Sequence, residues 1–211
     1  MAEETQPKSQ DLLAKHLQIT EPSPWVARFA PLVSNDAWIL DLAAGSGRHG
    51  RHLMRLGCRS VFIDRNTVAL QDLLNVPTAK VINADLENGR DPFGPNGPLE
   101  AMTFEAIIVV NYLFRPLMAG LINAIAPGGV LIYETFSRGN EEFARPCNPD
   151  HLLRSGELLS LVSGKMQVVA YEHGRLDITD IPGVKQRLCA VKDIHGSMRD
   201  DGEPPAHPLS P

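Results

Sequence analysis

Residues 38–53, WILDLAAGSGRHGRHL, join an apolar run, a glycine-rich turn and a helical pattern, and they constrain the fold more than any other segment. The apolar run contains Asp41, and Gly45 and Gly47 follow it before a predicted helix begins near Arg48. Glycines in such a turn permit positive φ angles and let a ligand approach the backbone closely. The free N–H groups at the start of a helix favour an anionic or polar ligand. The segment therefore predicts a strand, a turn and a helix with a binding site at the turn.

Short segments rich in Val, Ile and Phe recur along the chain and alternate with helical patterns. The predicted strands of this region are Trp38–Leu42, Ser60–Asp64, Lys80–Asn83, Glu105–Asn111 and Val130–Phe136, and the predicted helices between them are Arg48–Leu56, Thr67–Leu74 and Leu117–Ile125. Near-continuous apolar strands are typical of a parallel sheet that is covered on both faces. We therefore expect an α/β fold of the Rossmann-like, doubly wound type, with helices on both faces of the sheet.

The two ends of the chain depart from this alternation. Helices Gln10–Leu17 and Pro24–Val33 are predicted before the first strand. After a helix over Pro149–Val162, strands Met166–Glu172 and Lys185–Lys192 are joined by a connection without a helical pattern. These strands predict an antiparallel C-terminal pair, which brings the mostly parallel sheet to seven strands.

Length and composition predict one domain. The chain has 211 residues, of which 43% are hydrophobic, enough for one continuous core. We expect a single domain over residues 8–196, with the N-terminal helices inside 8–34. A disordered N-terminus, 1–7, and a disordered, proline-rich tail, 197–211, are expected to flank it.

Composition also limits location and partners. The net charge of -5 disfavours a surface built to bind a nucleic-acid backbone. The apolar stretches are far shorter than the roughly 20 residues that a membrane span needs, and the polar N-terminus does not resemble a signal peptide. Cys58, Cys147 and Cys189 lack CxxC spacing and are expected to be reduced thiols. We therefore expect a cytoplasmic protein without a membrane association, as a monomer or homodimer.

No metal site is predicted. His16, His49, His151 and His173 lack the spacing of metal ligands, and a surface or hydrogen-bonded role is expected for them.

The glycine-rich turn allows two interpretations. Gly45, Gly47 and Gly50 satisfy GxGxxG, the pattern of dinucleotide-binding folds. Asp41, four positions before the first glycine, favours S-adenosylmethionine instead. A carboxylate at that position can hold the ammonium group of a methionine moiety, directly or through water, whereas it would be out of place beside a pyrophosphate.

The segment DLAAGSG resembles motif I of the class I S-adenosylmethionine-dependent methyltransferases, and the resemblance extends over most of the chain. It implies that Asp64, in VFIDRN, binds the ribose hydroxyls. It implies further that Asp85, in NADLEN, lies near the adenine amino group, with Leu86 packing on the ring. APGGVLIYETF resembles the turn and fifth strand of the same family. The implied cofactor-binding residues are Asp41, Ala43, Gly45, Gly47, Arg48, Asp64, Arg65, Asp85, Leu86 and Asn111.

Within that class, GSGRHGRHL, NYLFRPL and RPCNPDHLLRSGELL are similar to small bacterial enzymes of the tellurite-resistance methyltransferase type. The chain departs from this subgroup at Ala43 and Ala44, where glycine and cysteine are frequent.

Candidate acceptor-site residues follow the fourth strand. Tyr112 could face the sulfonium, with a cation–π attraction on the order of 1 kcal/mol, or could only pack in the core. Arg115 could anchor an anionic acceptor or make a surface contact. Arg48 is a cation in the first helical turn, where it opposes the helix dipole, and pairing with the methionine carboxylate would compensate.

The loop from Glu134 to Asp150 is long and irregular, and such loops are commonly functional. Arg138, Arg145 and Asn148 are therefore further candidates for the acceptor pocket.

The predicted activity is methyl transfer by in-line displacement to an acceptor that is expected to be a small molecule, a nucleic acid or protein being less favoured. No histidine or carboxylate base stands out near Asn111, which favours an acceptor that is already nucleophilic or deprotonated. Two alternatives remain open: a catalytically silent S-adenosylmethionine-binding partner module, and an NAD-dependent oxidoreductase.

Overall fold

The computed structural model describes residues 19–177, 182–193 and 201–209. The predictions that fall outside the described residues concern the disordered N-terminus 1–7, the helix Gln10–Leu17, and residues 197–200 and 210–211 of the tail.

Seven strands form one sheet in the described part of the chain. They are β1 (Trp38–Leu42), β2 (Arg59–Asp64), β3 (Ala79–Asn83), β4 (Phe104–Val110), β5 (Ile125–Phe136), β6 (Gln167–Leu176) and β7 (Gly183–Val191). The α-helices are α1 (Pro24–Phe29), α2 (Arg48–Arg55), α3 (Met118–Asn123) and α4 (Glu157–Val162). Short 3-10 helices cover Ala30–Leu32, Val68–Leu73, Arg115–Leu117, Asn140–Glu142 and Pro149–His151.

The strand order is β3-β2-β1-β4-β5-β7-β6. Neighbours from β3 to β5 are parallel, whereas β7 runs antiparallel to both β5 and β6. The predicted fold and the predicted antiparallel C-terminal pair are confirmed. The chain reverses its direction of winding between β1 and β4, and in such sheets ligands bind outside the carboxyl ends of the strands at that point.

Apolar cores cover both faces of the sheet. On one face, Ile39 of β1 and Ile108 of β4 pack with Trp25 and Phe29 of α1. On the other face, Leu40 joins a larger core that includes residues of α3 and α4. This two-sided burial explains why the central strands read as continuous apolar runs.

The prediction of one helix over Pro149–Val162 is wrong. A 3-10 turn, Pro149–His151, is separated from α4 by an extended stretch. In that stretch the N–H of Leu153 donates to the carbonyl of Phe136 at 2.9 Å, so the chain pairs with the end of β5. Gly156, with a φ of 71°, then precedes α4 in a left-handed conformation that a continuous helix excludes.

The segment predicted as the helix Thr67–Leu74 is instead the 3-10 helix Val68–Leu73. Its buried residues are Leu70 and Leu73, three positions apart, which suits a helix with three residues per turn.

Residues 201–209 contain no helix or strand. His207 hydrogen-bonds to Asp193 at 2.6 Å, and the carbonyl of Leu209 accepts from Arg28 of α1 at 3.3 Å. This part of the tail therefore contacts the folded domain. Within the described ranges, no helix combines the length and the apolar character that crossing a bilayer requires.

Candidate cofactor and acceptor cleft

A cleft of about 1700 Å³ opens at the carboxyl ends of the parallel strands. Its walls come from the segments that follow successive strands: 43–46 after β1, 64–66 after β2, 84–87 after β3, and 110–113 at the end of β4. Residues 141–147 of the loop after β5 close another side. The site therefore lies where the reversal of strand order predicts it.

The three glycines of the turn have different environments. Gly45 has a φ of 58° and lines the cleft, and a Cβ there would meet no other atom within 4 Å. A Cβ on Gly47 would lie 2.6 Å from Leu70 Cδ2, and one on Gly50 would collide with the ring of Phe62. Gly45 therefore leaves room for a ligand, whereas Gly47 and Gly50 leave room for the core.

Asp64, at the end of β2, lines the cleft and is tied to the glycine-rich turn. Its Oδ2 accepts from the N–H of Gly45 at 2.8 Å, and its Oδ1 accepts from the N–H of Asn66 at 2.9 Å. An ionised carboxylate offers about four lone-pair positions, so both oxygens keep the capacity to accept from ligand hydroxyls.

The segment after β3 brings polar and apolar groups to the same wall. Asp85 is exposed, and its Oδ1 accepts from the N–H of Glu87 at 2.9 Å. Leu86 is only 6% exposed and lines the cleft beside it. Arg65 is an exposed residue of the cleft wall. An apolar surface next to a hydrogen-bonding edge fits a heteroaromatic ring.

Asp41 lies inside the protein and does not line the cleft. Its Oδ2 accepts from the N–H of Gly50 at 2.8 Å, which fixes the start of α2 against β1. Burial raises the pKa of this carboxyl to about 7, although the bond to Gly50 and the charge of Arg48 oppose the rise. The structure therefore gives Asp41 a contact with the first turn of α2, directly after the glycine-rich turn.

Ala43 and Arg48 line the cleft on either side of that turn. Ala43 has a φ of 56°, a left-handed conformation that is strained for a residue with a Cβ. Nη1 of Arg48 donates to the carbonyl of Glu21 at 2.9 Å, so this side chain joins α2 to the segment that precedes α1.

A buried ion cluster, formed by Asn111, Lys185, Glu134, Ser23 and Arg187, lies beside the end of β4. Nζ of Lys185 donates to Oδ1 of Asn111 at 2.9 Å and to Oε1 of Glu134 at 2.7 Å. Oε2 of Glu134 accepts from the hydroxyl of Ser23 at 2.6 Å and lies 3.4 Å from Nε of Arg187. Burial alone would raise the pKa of Glu134, but these partners bring it below its usual value.

His49 is another polar residue of the cleft wall that is largely inaccessible to solvent. His49 is only 5% exposed. It therefore does not lie on the surface, which was one of the two roles expected from the sequence. Burial, together with the charges of Arg48 and Lys185, lowers the pKa of this imidazole to about 3. His49 is therefore neutral at physiological pH.

Sequence reasoning did not identify Glu134, Lys185 or His49 as site residues. A signal was present, because Glu134 and Lys185 are ionisable residues within strands of mostly apolar residues. Charged residues are rarely buried unless they are paired, so each implied a partner. The sequence did not reveal which residue that partner was.

Tyr112 lines the cleft. Its carbonyl accepts from the hydroxyl of Tyr133 at 3.1 Å, which fixes the backbone after β4. Burial, reinforced by the carboxylate of Glu87, raises the pKa of the Tyr112 hydroxyl above its usual value. The phenol is therefore neutral.

Arg115 is not among the residues that line the cleft. Its Nε donates to Glu157 at 2.6 Å, and its Nη1 and Nη2 donate to the carbonyls of Asp150 and Leu152 at 2.8 and 2.9 Å. These contacts attach the segment after β4 to the region before α4. The guanidinium of Arg115 thus binds protein groups that hold these two segments together.

Of the three candidates in the loop after β5, one lines the cleft and two do not. Arg145 lines the cleft. Nε of Arg138 donates to Glu141 at 2.8 Å, and Asn148 caps the following 3-10 turn, so neither reaches the cleft wall. Phe143 of the same loop lines the cleft with 54% of its surface exposed, which provides an aromatic surface at the mouth.

The protein has the Rossmann-like fold of the S-adenosylmethionine-dependent methyltransferases, with its cleft at the carboxyl ends of the parallel strands. Among solved structures it is similar to TehB from Haemophilus influenzae, with a TM-score of 0.64 and 18% identity over 88% of this chain and 67% of that one.

It is similar as well to the N-methyltransferase NodS from Bradyrhizobium japonicum WM9 in complex with S-adenosyl-L-homocysteine, with a TM-score of 0.60, 14% identity, and coverage of 86% of this chain and 97% of that one. A third similar structure is the 1,6-didemethyltoxoflavin-N1-methyltransferase from Burkholderia thailandensis, with a TM-score of 0.59, 13% identity, and coverage of 90% and 93%. No family model and no curated protein matches the chain. At these identities the likeness is one of fold.

Proposed function

We propose that the protein is an S-adenosylmethionine-dependent methyltransferase that transfers a methyl group by in-line displacement to a small-molecule acceptor. The observation that carries this proposal is the convergence of open backbone at Gly45, a carboxylate at Asp64 and an apolar surface at Leu86 on one cleft. S-adenosylmethionine joins an adenosine to a charged methionine chain, and groups of these kinds are suited to bind it.

The adenosyl half would be held by the strand ends β2 and β3. Asp64 would accept hydrogen bonds from the ribose hydroxyls, because its oxygens retain lone pairs beyond those used by Gly45 and Asn66. Leu86 would pack on the adenine, with Asp85 at the edge that carries the amino group. Arg65 would flank the same half.

The methionine half would lie over the turn after β1 and the end of β4. Ala43 and Gly45 expose backbone there, and the cation of Arg48 suits the carboxylate of the ligand. Gly47 and Asp41 would act indirectly, by fixing the turn. S-adenosylmethionine carries its methyl group on a sulfonium, so the protein needs to orient the acceptor and exclude water.

The cleft has room for a second ligand. Its volume of about 1700 Å³ exceeds the 300–1,000 Å³ of a typical single-ligand pocket. Tyr112, Arg145 and Phe143 would form the acceptor side, with aromatic and cationic groups. The Tyr112 phenol stays protonated because its pKa is raised, and the imidazole of His49 is a weak base because its pKa is lowered to about 3. Neither group is suited to deprotonate an acceptor, which favours an acceptor that is already nucleophilic or deprotonated.

The sheet favours this function over an NAD-dependent oxidoreductase. The dinucleotide-binding fold has the strand order 3-2-1-4-5-6. Here an antiparallel β7 lies between β5 and β6. The GxGxxG match is therefore better explained by a methyltransferase turn.

We infer that the enzyme works in the cytoplasm. Its three cysteines are free thiols, which is usual in a reducing compartment. The net charge of -5 favours a small acceptor over a nucleic acid. A monomer or a homodimer remains our prediction for its assembly.

Calorimetric titration with S-adenosylmethionine, S-adenosylhomocysteine and NAD tests the proposal. We expect both sulfur nucleosides to bind and NAD not to bind, and binding of NAD alone would refute the assignment. Release of S-adenosylhomocysteine should then be measured across thiols, oxyanions and small aromatic acceptors. Firm binding without turnover across that panel would instead support a silent cofactor-binding module.

A further inference from the structure

The amide of Asn111 is held in one orientation by a residue far away in the sequence. Asn111 lines the cleft, and its Oδ1 accepts from Nζ of Lys185 at 2.9 Å. A lysine ammonium can only donate, so this contact identifies the end of the amide that faces Lys185 as the oxygen. Nδ2 is the other end, and it makes no hydrogen bond within the described part of the chain. Asn111 therefore offers a donor to a ligand.

The backbone of Asn111 is fixed as well. Its N–H donates to the carbonyl of Glu134 at 2.8 Å, and its φ of 57° is left-handed, a conformation that asparagine tolerates better than most residues. Backbone and Oδ1 are thus both constrained. The free donor of Nδ2 has a defined direction at the end of β4.

Lys185 is itself well held. It comes from β7, its side chain is only 4% exposed, and its Nζ lies 2.7 Å from Oε1 of Glu134 and 4.9 Å from the ring centre of Phe136. Burial lowers the pKa of Lys185, and the ion pair with Glu134 opposes that shift and favours the charged, donor-only form of the lysine. A buried ion pair contributes little net stability compared with apolar residues of similar volume, so its presence beside a cleft calls for another reason.

We propose that Lys185 is a positioning residue that acts through Asn111, orienting its amide so that Nδ2 donates to the bound cofactor. This inference rests on the proposed function, because the ligand that it concerns is S-adenosylmethionine or S-adenosylhomocysteine. Lys185 does not itself touch the ligand. The buried ion cluster thereby links the antiparallel strand β7 to the cofactor site formed by the parallel strands.

A double-mutant cycle with S-adenosylhomocysteine as the probe tests the proposal. We expect Lys185→Met to weaken binding roughly tenfold, about the worth of one hydrogen bond. Asn111→Ala should weaken it by a similar factor. If Lys185 acts through Asn111, Lys185→Met should add less than about twofold to Asn111→Ala. Equal losses in both backgrounds would overturn the proposal, as would unchanged affinity in Lys185→Met.

Lys192→Met is the matched control. Nζ of Lys192 is also tied to protein groups, donating to the carbonyls of Ile122 and Ile125 at 2.9 and 2.6 Å, but Lys192 does not line the cleft. This variant should lose stability and keep its affinity for S-adenosylhomocysteine. An affinity loss as large as that of Lys185→Met would show a general effect of removing a lysine, against the proposal.

Two further variants keep the test decisive if Lys185→Met folds poorly. Lys185→Met combined with Glu134→Gln removes both charges of the pair, and it should bind like Lys185→Met. Asn111→Asp keeps an oxygen for Lys185 but replaces the donor with a second oxygen. It should fold normally and lose at least tenfold in affinity, and wild-type affinity in either variant would contradict the proposal.

A spectroscopic measurement separates orientation from folding. The ¹⁵N side-chain amide resonance of Asn111, assigned from its loss in Asn111→Asp, should shift when S-adenosylhomocysteine is added to the wild type. The shift should be much smaller in Lys185→Met, and an equal shift would overturn the proposal. If the wild type binds no S-adenosylhomocysteine at all, the proposed function fails first, which is a distinguishable result.

Discussion

The carboxylate of Asp64 accepts a hydrogen bond at 2.8 Å from the backbone N–H of Gly45, joining the end of β2 to the turn after β1. The two strands are parallel neighbours, so their carboxyl ends lie side by side. The bond fixes the direction of the carboxylate toward the cleft. It also explains how an acidic residue 19 positions away belongs to the same site as the glycine-rich turn.

Asp64→Asn should weaken binding of S-adenosylhomocysteine about 10- to 100-fold, because hydrogen bonds to a charged group are worth about 1.5–3 kcal/mol. The amide would also point an N–H group toward one of the backbone N–H groups whose hydrogen bonds the carboxylate now accepts. Calorimetric titration measures the change. Asp36→Asn, an exposed position outside the cleft, is the control and should bind normally. Equal affinity of Asp64→Asn and the wild type would refute the role of Asp64.

Gly45→Ala and Gly50→Ala should fail in different ways. At Gly45 the new methyl group enters the cleft, so binding of S-adenosylhomocysteine should fall. Left-handed strain should also lower the free energy of unfolding by about 1–2 kcal/mol. At Gly50 the methyl group meets the ring of Phe62, so the free energy of unfolding should drop by about 1–3 kcal/mol through overpacking. Urea denaturation and calorimetry together separate the two effects. The assignment is wrong if Gly50→Ala loses affinity while keeping its stability.

Arg115→Met should lower the stability of the fold and leave the cofactor affinity unchanged. Its guanidinium joins Glu157 and two carbonyls, and their loss should cost about 1–3 kcal/mol of unfolding free energy. Glu157→Gln tests the same contact from the other side. A variant of Arg115 with normal stability but reduced methyl transfer would instead favour the acceptor role considered from the sequence.

The ion pair between Arg115 and Glu157 should make the stability of the fold depend on pH in the acidic range. Burial raises the pKa of Glu157, but the hydrogen bond and charge of Arg115 bring it below the usual 4.5. A carboxylate with a depressed pKa stabilises the fold above its unfolded pKa, and this contribution disappears as the pH falls through the folded value. The loss of stability below about pH 4.5 should therefore be smaller in Glu157→Gln. Urea midpoints between pH 3 and 6 measure it, and identical curves would contradict the prediction.

His49 should remain neutral over the physiological range, because burial lowers its pKa from 6.5 to about 3. The unfolded chain binds this proton below pH 6.5 and the folded chain does not, so stability should fall with decreasing pH between 6.5 and 3. The slope from one such group approaches 1.4 kcal/mol per pH unit. His49→Gln should remove that slope. An imidazole resonance of His49 that titrates near pH 6.5 would disprove the burial effect.

Local patterns predicted most of the fold. Trp38–Leu42 has the bounds that its apolar run indicated, because a central strand covered on both faces needs apolar residues throughout. The segment Pro149–Val162 has a helical pattern, yet Leu153 pairs with the end of β5. A periodic pattern records which residues are apolar, and it does not record a competing strand edge nearby.

The same limit applies to the site. A short motif and a strand end specify the positions of Gly45 and Asp64, and both residues line the cleft. The exclusion of Asp41 and Arg115 from the cleft wall was not predictable, since each lies two positions from a residue that lines it, Ala43 and Leu113 respectively. The direction of a side chain depends on which partner fills its hydrogen bonds, here Gly50 for Asp41.

The sequence by itself determined the alternation of strands and helices and the glycine-rich turn after β1, because these follow from propensities and spacing within a few residues. Only the tertiary structure decided that Lys185 meets Asn111, 74 residues apart, and that Glu134 lies between them and Ser23. The physical reason is that sheet pairing of β5 with β7 brings these residues together, and burial then requires each charge to find a partner.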